Sequence, residues 1–368
     1  MTQDAGWGGG PPYGGAPYGA APGWGGWMPP PKPGVIPLVP LKLGDILGGA
    51  LGTLGRYWKQ LLGIGAAAYG AALIVVGAAA LIGYSAVSGH LDRVLSLGAE
   101  EDPSSDDIVP LLIALGIVWL VAVIALMITT ALVYAAVPAV LQDAVLGRPT
   151  TFSAVWRRAW ARVPALIGTV LLTALATMVP AVLMVIGFIA VVIGAITLSD
   201  GSGIAVWVAL GFLGALATAP LAIWLWVKFS LAPSAVVFEG QGPVAALRRS
   251  SQLVRGDWWR VFGISLLGIA IAAMASYIIQ IPFSFLGMFS GMIGGSTLDD
   301  DPNPAAVVVA MSGYVVVLLL GQLIGQLVSA TFPQLVTGLL YVDRRMRTEN
   351  LGPVLAEAAA VPPQQYGP

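Results

Sequence analysis

Six long apolar runs, none of them interrupted by Asp, Glu, Lys, Arg or His, constrain this chain more than any other feature. They extend over Leu61–Tyr84, Ile108–Leu141, Val163–Leu198, Ile204–Val227, Val261–Ser290 and Ala305–Val342. A helix of about 20 apolar residues crosses a hydrocarbon layer roughly 30 Å thick. Isolated strands leave backbone groups unpaired in lipid, and the short alternating segments of a membrane barrel are missing, so helices are the only workable reading. Composition agrees: charged residues make up 10% of the 368, against about 25% in soluble domains. The expected fold is all-α, a polytopic bundle of six transmembrane helices. The third, fifth and sixth runs exceed the bilayer and must tilt, kink or project. Pro180 is the natural kink in the third, and Phe285–Ile293 is expected in the outer interface.

Charge placement orients the bundle. With the N-terminus in the cytoplasm, 16 of the 17 Lys and Arg residues fall on the inner side and only Arg93 falls outside. The outer loops hold 10 of the 18 acidic residues, from Asp92 to Asp301. Basic residues stay with the cytoplasmic side of membrane helices. The expectation is a multi-pass protein of the cell (plasma) membrane with both termini cytoplasmic.

Three parts follow: a tail over 1–34, a membrane domain over 35–346 and a second tail over 347–368. The first tail is Gly, Pro, Tyr and Trp in loose repeats, a composition that builds no packed core and reads as disordered. No charged segment followed by an apolar one precedes the first span, so no signal peptide is expected and that span directs insertion. The second tail is short, polar and rich in Ala and Pro.

The membrane domain repeats about every 100 residues, from Pro138 to Pro233 to Pro333. Each of the three pseudo-repeats has an amphipathic cytoplasmic segment, a span, an outer loop, a second span and a proline near its inner end. Those prolines are expected to break the helix so that the chain can leave the bilayer. In the segment Phe152–Val163, apolar Phe152, Val155, Trp156, Ala159, Trp160 and Val163 recur at helical spacing, with Arg157, Arg158 and Arg162 opposite. That pattern describes an interfacial helix. Asp45–Lys59 behaves similarly, with Asp45 as the expected N-cap. A third segment starts at Pro243 and has a weaker face, interrupted by Ser250 and Ser251. Trp58, Trp160 and Trp258–Trp259 stand beside Lys or Arg, as suits a membrane interface.

Three stretches carry a family resemblance: PGVIPLVPLKLGDILGGALGTL at Pro33–Leu54, LAPSAVVFEGQGPVAALRRSSQLVRGDWWRVFGISLL at Leu231–Leu267, and GLLYVDRRMRTENL at Gly338–Leu351. Together, across about 33–351, they resemble a family of bacterial six-span proteins of unknown function. That family is distantly related to the membrane domain of glycerophosphoryl diester phosphodiesterases. In the fused enzymes catalysis belongs to a separate soluble barrel, which is missing here. The resemblance therefore implies no activity and transfers no catalytic residue.

The chemistry available is narrow. The chain has no Cys and one His, His90, which reads as exposed. No catalytic, metal or cofactor-binding residue is assigned, and no enzyme is expected. The acidic runs Glu100–Asp107 and Asp299–Asp301 lack the alternation of a calcium loop and read as solvated charge. Polar residues inside spans are the default functional candidates. They are Thr169, Thr173 and Thr177 in the third span, Ser276, Gln280 and Ser284 in the fifth, and Gln322, Gln326 and Ser329 in the sixth. They either line a polar cavity between spans 3, 5 and 6 or hydrogen-bond helices together. Gly321/Gly325 and Gly287/Gly291 have the spacing of close helix contacts. Arg157, Arg158, Arg162, Arg248, Arg249 and Arg260 are the expected contacts to anionic headgroups. Membrane lipids are the expected partners, along with a second copy or another membrane protein; nucleic acid is not expected. Two functions compete: a non-enzymatic scaffold or lipid-interacting protein, and a transporter or permease-like component with a polar cavity.

Overall fold

The computed structural model describes residues 32–97, 102, 104–198, 204–296 and 304–360. The N-terminal tail up to 31, the acidic pair Glu100–Glu101 and the run Asp299–Asp301 lie outside the described residues. Among those described there is no strand. Ten helices follow in order: α1 (Leu43–Leu95), α2 (Ser105–Val145), α3 (Phe152–Trp160), α4 (Val163–Leu198), α5 (Ile204–Phe229), α6 (Ala232–Glu239), α7 (Pro243–Val254), α8 (Trp258–Ser296), α9 (Pro304–Glu349) and α10 (Leu351–Ala360). Six of them, α1, α2, α4, α5, α8 and α9, are long and apolar enough to cross a membrane.

The six long helices form three antiparallel hairpins, α1/α2, α4/α5 and α8/α9. Helix α9 also packs on α1 and α2, and α4 packs on α2, whereas α5 meets α8 only briefly. Hairpins one and three are thus joined along α9, and hairpin two stands partly away from the third. The short helices α3, α6 and α7 gather at the end of the bundle that holds the basic residues, termed here the basic end.

The buried core sits at that end. Ile36, Leu41, Ile46, Leu141, Leu231 and Tyr341 are fully enclosed there. Away from it the long helices expose apolar side chains, such as Ile74, Leu81 and Ile196. Lipid tails are as apolar as Leu, so this exposure carries no penalty in a bilayer.

Several local expectations change. Helix α1 combines an interfacial piece and a span, joined at Tyr57, whose φ of −116° and ψ of 22° are not helical. Lys42 is the N-cap of α1 and Asp45 is its third residue; the Asp45 carboxylate accepts the Lys42 backbone N–H at 2.8 Å. A carboxylate at the third position satisfies a free donor as a capping box does. The segment from Phe152 divides: α3 ends at Trp160 and α4 begins at Val163. Of the three inner-end prolines only Pro233 follows a break, at the start of α6; Pro138 and Pro333 lie within unbroken helices. Pro180 likewise lies within α4. Helix α8 runs on through Phe285–Ile293 as one helix. The stretch 351–360 is a helix whose Leu351, Leu355 and Ala356 pack against the core. Ser250 is buried: its hydroxyl donates to the Lys228 carbonyl at 2.8 Å and accepts the Leu231 N–H at 3.2 Å. It therefore satisfies the backbone where α5 breaks into α6.

Candidate functional site

A cavity of about 450 Å³, with mainly apolar walls that carry several hydroxyl and amide groups, lies between hairpins two and three, in the half of the bundle nearer the basic end. Thr169, Thr173 and Thr177 form its α4 wall. Their hydroxyls donate to the carbonyls of Ala165, Thr169 and Thr173 at 2.8, 2.8 and 3.0 Å. Each oxygen keeps lone pairs for a ligand or water, because a hydroxyl accepts as well as donates. Helix α9 contributes Ser329, Gln334 and Thr337, α8 contributes Ser265, and Tyr134 of α2 closes one side. Trp226 and Phe229 of α5 supply aromatic surface. Ser265 is 2% exposed, and neither its Oγ nor the Oε1 of Gln334 has a partner. Buried polar atoms are normally paired, so these two mark the cavity as a place for a guest.

The other intramembrane candidates do not enter it. Ser276 on α8 donates to the Gly325 carbonyl of α9 at 2.8 Å and lies 2.6 Å from the Ser329 hydroxyl. Gln280 packs over Gly325, where a Cβ would sit 2.8 Å from its Nε2. A Cβ at Gly321 would sit 2.6 Å from Phe283, so the Gly321/Gly325 pair is the close α8–α9 contact. Ser284 is exposed and bonds the Gln280 carbonyl at 3.0 Å. Gln322 and Gln326 are exposed, away from the cavity. Gln334, the cavity glutamine, was not singled out in the sequence; it lies one residue past Pro333, on the cavity face of α9.

At the basic end the cations divide into two groups. One group builds the fold. Asp343 is 0% exposed. Its carboxylate accepts the Leu41 N–H at 2.8 Å, the Arg347 Nε at 2.9 Å and the Arg260 Nη2 at 3.0 Å. Arg260 and Arg347 also donate to the Leu41 carbonyl, at 2.7 and 2.8 Å. One residue of the N-terminal segment is thereby held at both backbone groups by α8 and α9. Glu239, at the end of α6, accepts Arg249 at 2.9 Å, Gln241 at 2.6 Å and the Tyr341 hydroxyl. Arg249 also pairs with Glu349. Burial works against the Arg249 cation, and the carboxylates of Glu239 and Glu349 outweigh it, leaving its pKa above the usual arginine value. Arg344, 5% exposed, pairs with Asp257 and donates to the Leu253 carbonyl at 2.8 Å. Arg158 bridges to Asp143 at 2.9 Å.

The second group stays outward. Arg157, Arg162 and Arg248 are exposed, with no carboxylate in bridging distance among the described residues. Phe152, Trp156 and Trp160 stack along α3 with centroids 5.8 and 6.0 Å apart, and Phe152 and Trp160 are exposed. Of the six arginines expected at lipid, the structure places Arg158, Arg249 and Arg260 in ion pairs and leaves the other three free of them. At the opposite end His90 is not simply exposed: it and Arg93 both meet Asp107, at 3.1 and 2.7 Å.

Three hairpins of long apolar helices, an ion-paired basic end and a cavity between the helices define a polytopic helical membrane protein. The chain belongs to the family described as Domain of unknown function (DUF7847), whose model matches residues 41–343. No curated protein and no solved structure matches it.

Proposed function

We propose that the protein is a non-enzymatic, lipid-interacting component of the cell membrane, with its basic end and both termini in the cytoplasm. The observation that carries this reading is the division of the cations. Arg157, Arg162 and Arg248 are exposed and have no carboxylate in bridging distance among the described residues, and Arg157 and Arg162 flank the exposed aromatic side chains of α3; such a combination suits an anionic membrane surface. The absence of Cys and the single His leave little for catalysis. Partners on this reading are anionic phospholipids. A second membrane-spanning segment, from another copy or another protein, would cover the exposed Gln322 and Gln326. The test is retention of lipid by purified protein in mixed phosphatidylglycerol and phosphatidylcholine nanodiscs. Replacing Arg157, Arg162 and Arg248 by Gln should reduce the anionic preference roughly tenfold or more; an unchanged preference overturns the reading. Orientation is checked by placing Cys at position 103, which should be labelled from outside only.

The cavity supports a second reading, a transporter-like component. Its hydroxyl lining and the unpartnered Ser265 and Gln334 atoms favour a polar guest. A Ser265→Cys variant should react with a small hydrophilic thiol reagent, whereas Gly321→Cys, in the α8–α9 contact, should not. Equal silence at both removes this reading. We also infer the bacterial source and the distant kinship with phosphodiesterase membrane domains, from the stretch Leu231–Leu267; comparing the two families over that stretch tests the kinship.

A further inference from the structure

Where α5 and α8 barely touch, a notch opens at the basic end and continues into a groove. The notch, about 240 Å³, is lined by Trp224 and Lys228 of α5, by Ser251 and Val254 of α7, and by Arg255 and Trp258. Trp224 and Trp258 also line the adjoining groove of about 530 Å³, whose other walls are Pro220, Ile223, Trp259 and Phe262. The two spaces share a wall and differ in chemistry.

The notch is cationic. Lys228 and Arg255 have no carboxylate in bridging distance among the described residues; Asp257, the nearest acid in sequence, is taken by Arg344. The Lys228 ammonium sits 4.3 Å from the centroid of Trp224, a cation–π contact that holds the charge in place without neutralising it. The Trp258 Nε1 is buried and has no partner. An indole N–H only donates, so the notch offers two cations and a free donor, a set that calls for an anionic oxygen. The Ser251 hydroxyl donates to the Arg248 carbonyl at 2.8 Å, so it adds no further donor to that set.

The groove is apolar and points away from the basic end. Ile223 and Pro220 lie about one and two turns deeper along α5 than Lys228, and at 1.5 Å per residue Pro220 is roughly 12 Å below it. On α8, Phe262 lies one turn deeper than Trp258 and stacks on it at 5.2 Å. Trp259 is 77% exposed at the rim. The order from end to middle is therefore cations, indole N–H, aromatic rings, aliphatic side chains. A phospholipid presents the same order: phosphate, glycerol backbone, acyl chain.

We propose that this notch and groove form a seat for one anionic phospholipid, its phosphodiester held by Lys228, Arg255 and the Trp258 N–H and one acyl chain lying between α5 and α8. The proposal rests on the lipid-interacting reading and adds a defined site to it, separate from the exposed arginines of α3 and α7. A neutral phospholipid fits the groove but carries an ammonium that Lys228 and Arg255 repel. Free phosphate fits the notch and forgoes the groove.

Native mass spectrometry of the full chain, released from nanodiscs of equal phosphatidylglycerol and phosphatidylcholine, tests it. The wild type should keep one phosphatidylglycerol through delipidating detergent washes. Lys228→Gln with Arg255→Gln should lower that retention roughly tenfold or more, and Lys228→Arg with Arg255→Lys should keep it. Ile223→Trp, which fills the groove and leaves the charges, should lower it too. Ten millimolar inorganic phosphate in the wash should not displace the lipid; displacement would mark a plain anion site and overturn the proposal. Retention unchanged in both the double Gln and the Ile223→Trp variants overturns the site while leaving the wider lipid reading intact. No anionic preference in the wild type overturns both.

Discussion

The two ends of the bundle are built by different rules. At the basic end, carboxylates and arginines from α6, α7, α8 and α9 interlock with one another and with the backbone of Leu41 before α1, and the enclosed residues crowd there. Toward the acidic end the hairpins present Leu, Ile and Val outward, and described polar contacts are few, the His90–Arg93–Asp107 group being the main one. The difference teaches where specificity is encoded. In lipid, no hydrophobic driving force brings one apolar surface to another, and only close packing and polar contacts hold helices together. Apolar side chains turned to the bilayer are not penalised, and buried polar groups that have only each other fix how the hairpins are placed. Those groups gather at the basic end.

The largest effect should come from breaking the fixed end. Asp343 is enclosed and compensates Arg260 and Arg347 while holding Leu41. Asp343→Asn keeps the shape, removes the charge and leaves two guanidinium groups facing each other. Losing one partner of a buried pair costs about 3 kcal/mol or more. Unfolding in graded sodium dodecyl sulfate should show a loss of that size, and proteolysis before residue 43 should become faster. If stability held within about 0.5 kcal/mol, the basic end would not be the anchor described here.

The stretches that carried the family resemblance turn out to be this anchor. Tyr341, Asp343, Arg344, Arg345, Arg347 and Glu349 all come from GLLYVDRRMRTENL, and Glu239, Gln241, Arg249, Ser250 and Asp257 come from the middle stretch. The spans themselves were legible because a charge-free run of that length has one physical solution in a membrane. The anchor was not, because the sign of a charge marks a side of the membrane and says nothing of which Arg meets which Asp. Arg249 and Arg260 therefore read like Arg157 in the sequence. Ser250 looked like a flaw in an amphipathic face because helical periodicity cannot show that a neighbouring helix end needs a hydroxyl. The cavity was half legible. Thr169, Thr173 and Thr177 were found by their spacing within a span, but Gln280, Gln322 and Gln326 fell elsewhere, since helix rotation about its own axis is set by packing that the apolar pattern leaves open.

A pair of glycine substitutions sharpens the comparison at an intermediate scale. Gly338 lies at the basic end, where an added Cβ would sit 2.4 Å from Leu141 Cδ1. Gly77 lies on α1 away from the basic end, with nothing within 4 Å of that position. Overpacking a filled core costs typically 1–3 kcal/mol. Gly338→Val should lower stability by about that amount in the same assay. Gly77→Val should leave it unchanged or slightly higher. Equal losses would mean that the outer helices are held as tightly as the inner ones.

The smallest effect concerns a contact between the two regimes. Ser276 and Ser329 face each other across the α8–α9 seam at 2.6 Å, and Ser276 also reaches the Gly325 carbonyl. Such hydrogen bonds within membranes average only ~0.6 kcal/mol, because the separated helices find other partners. The seam is also held by Gly321 and Gly325, which admit Phe283 and Gln280 at close range. Ser276→Ala should therefore cost about 0.6 kcal/mol, and a double-mutant cycle with Ser329→Ala should return a coupling no larger. Ser329 lines the cavity as well, so its replacement alone should alter labelling of Ser265→Cys more than it alters stability. A coupling well above 1 kcal/mol would show that polar pairing dominates this seam too, and the boundary between the two regimes would then lie farther from the basic end.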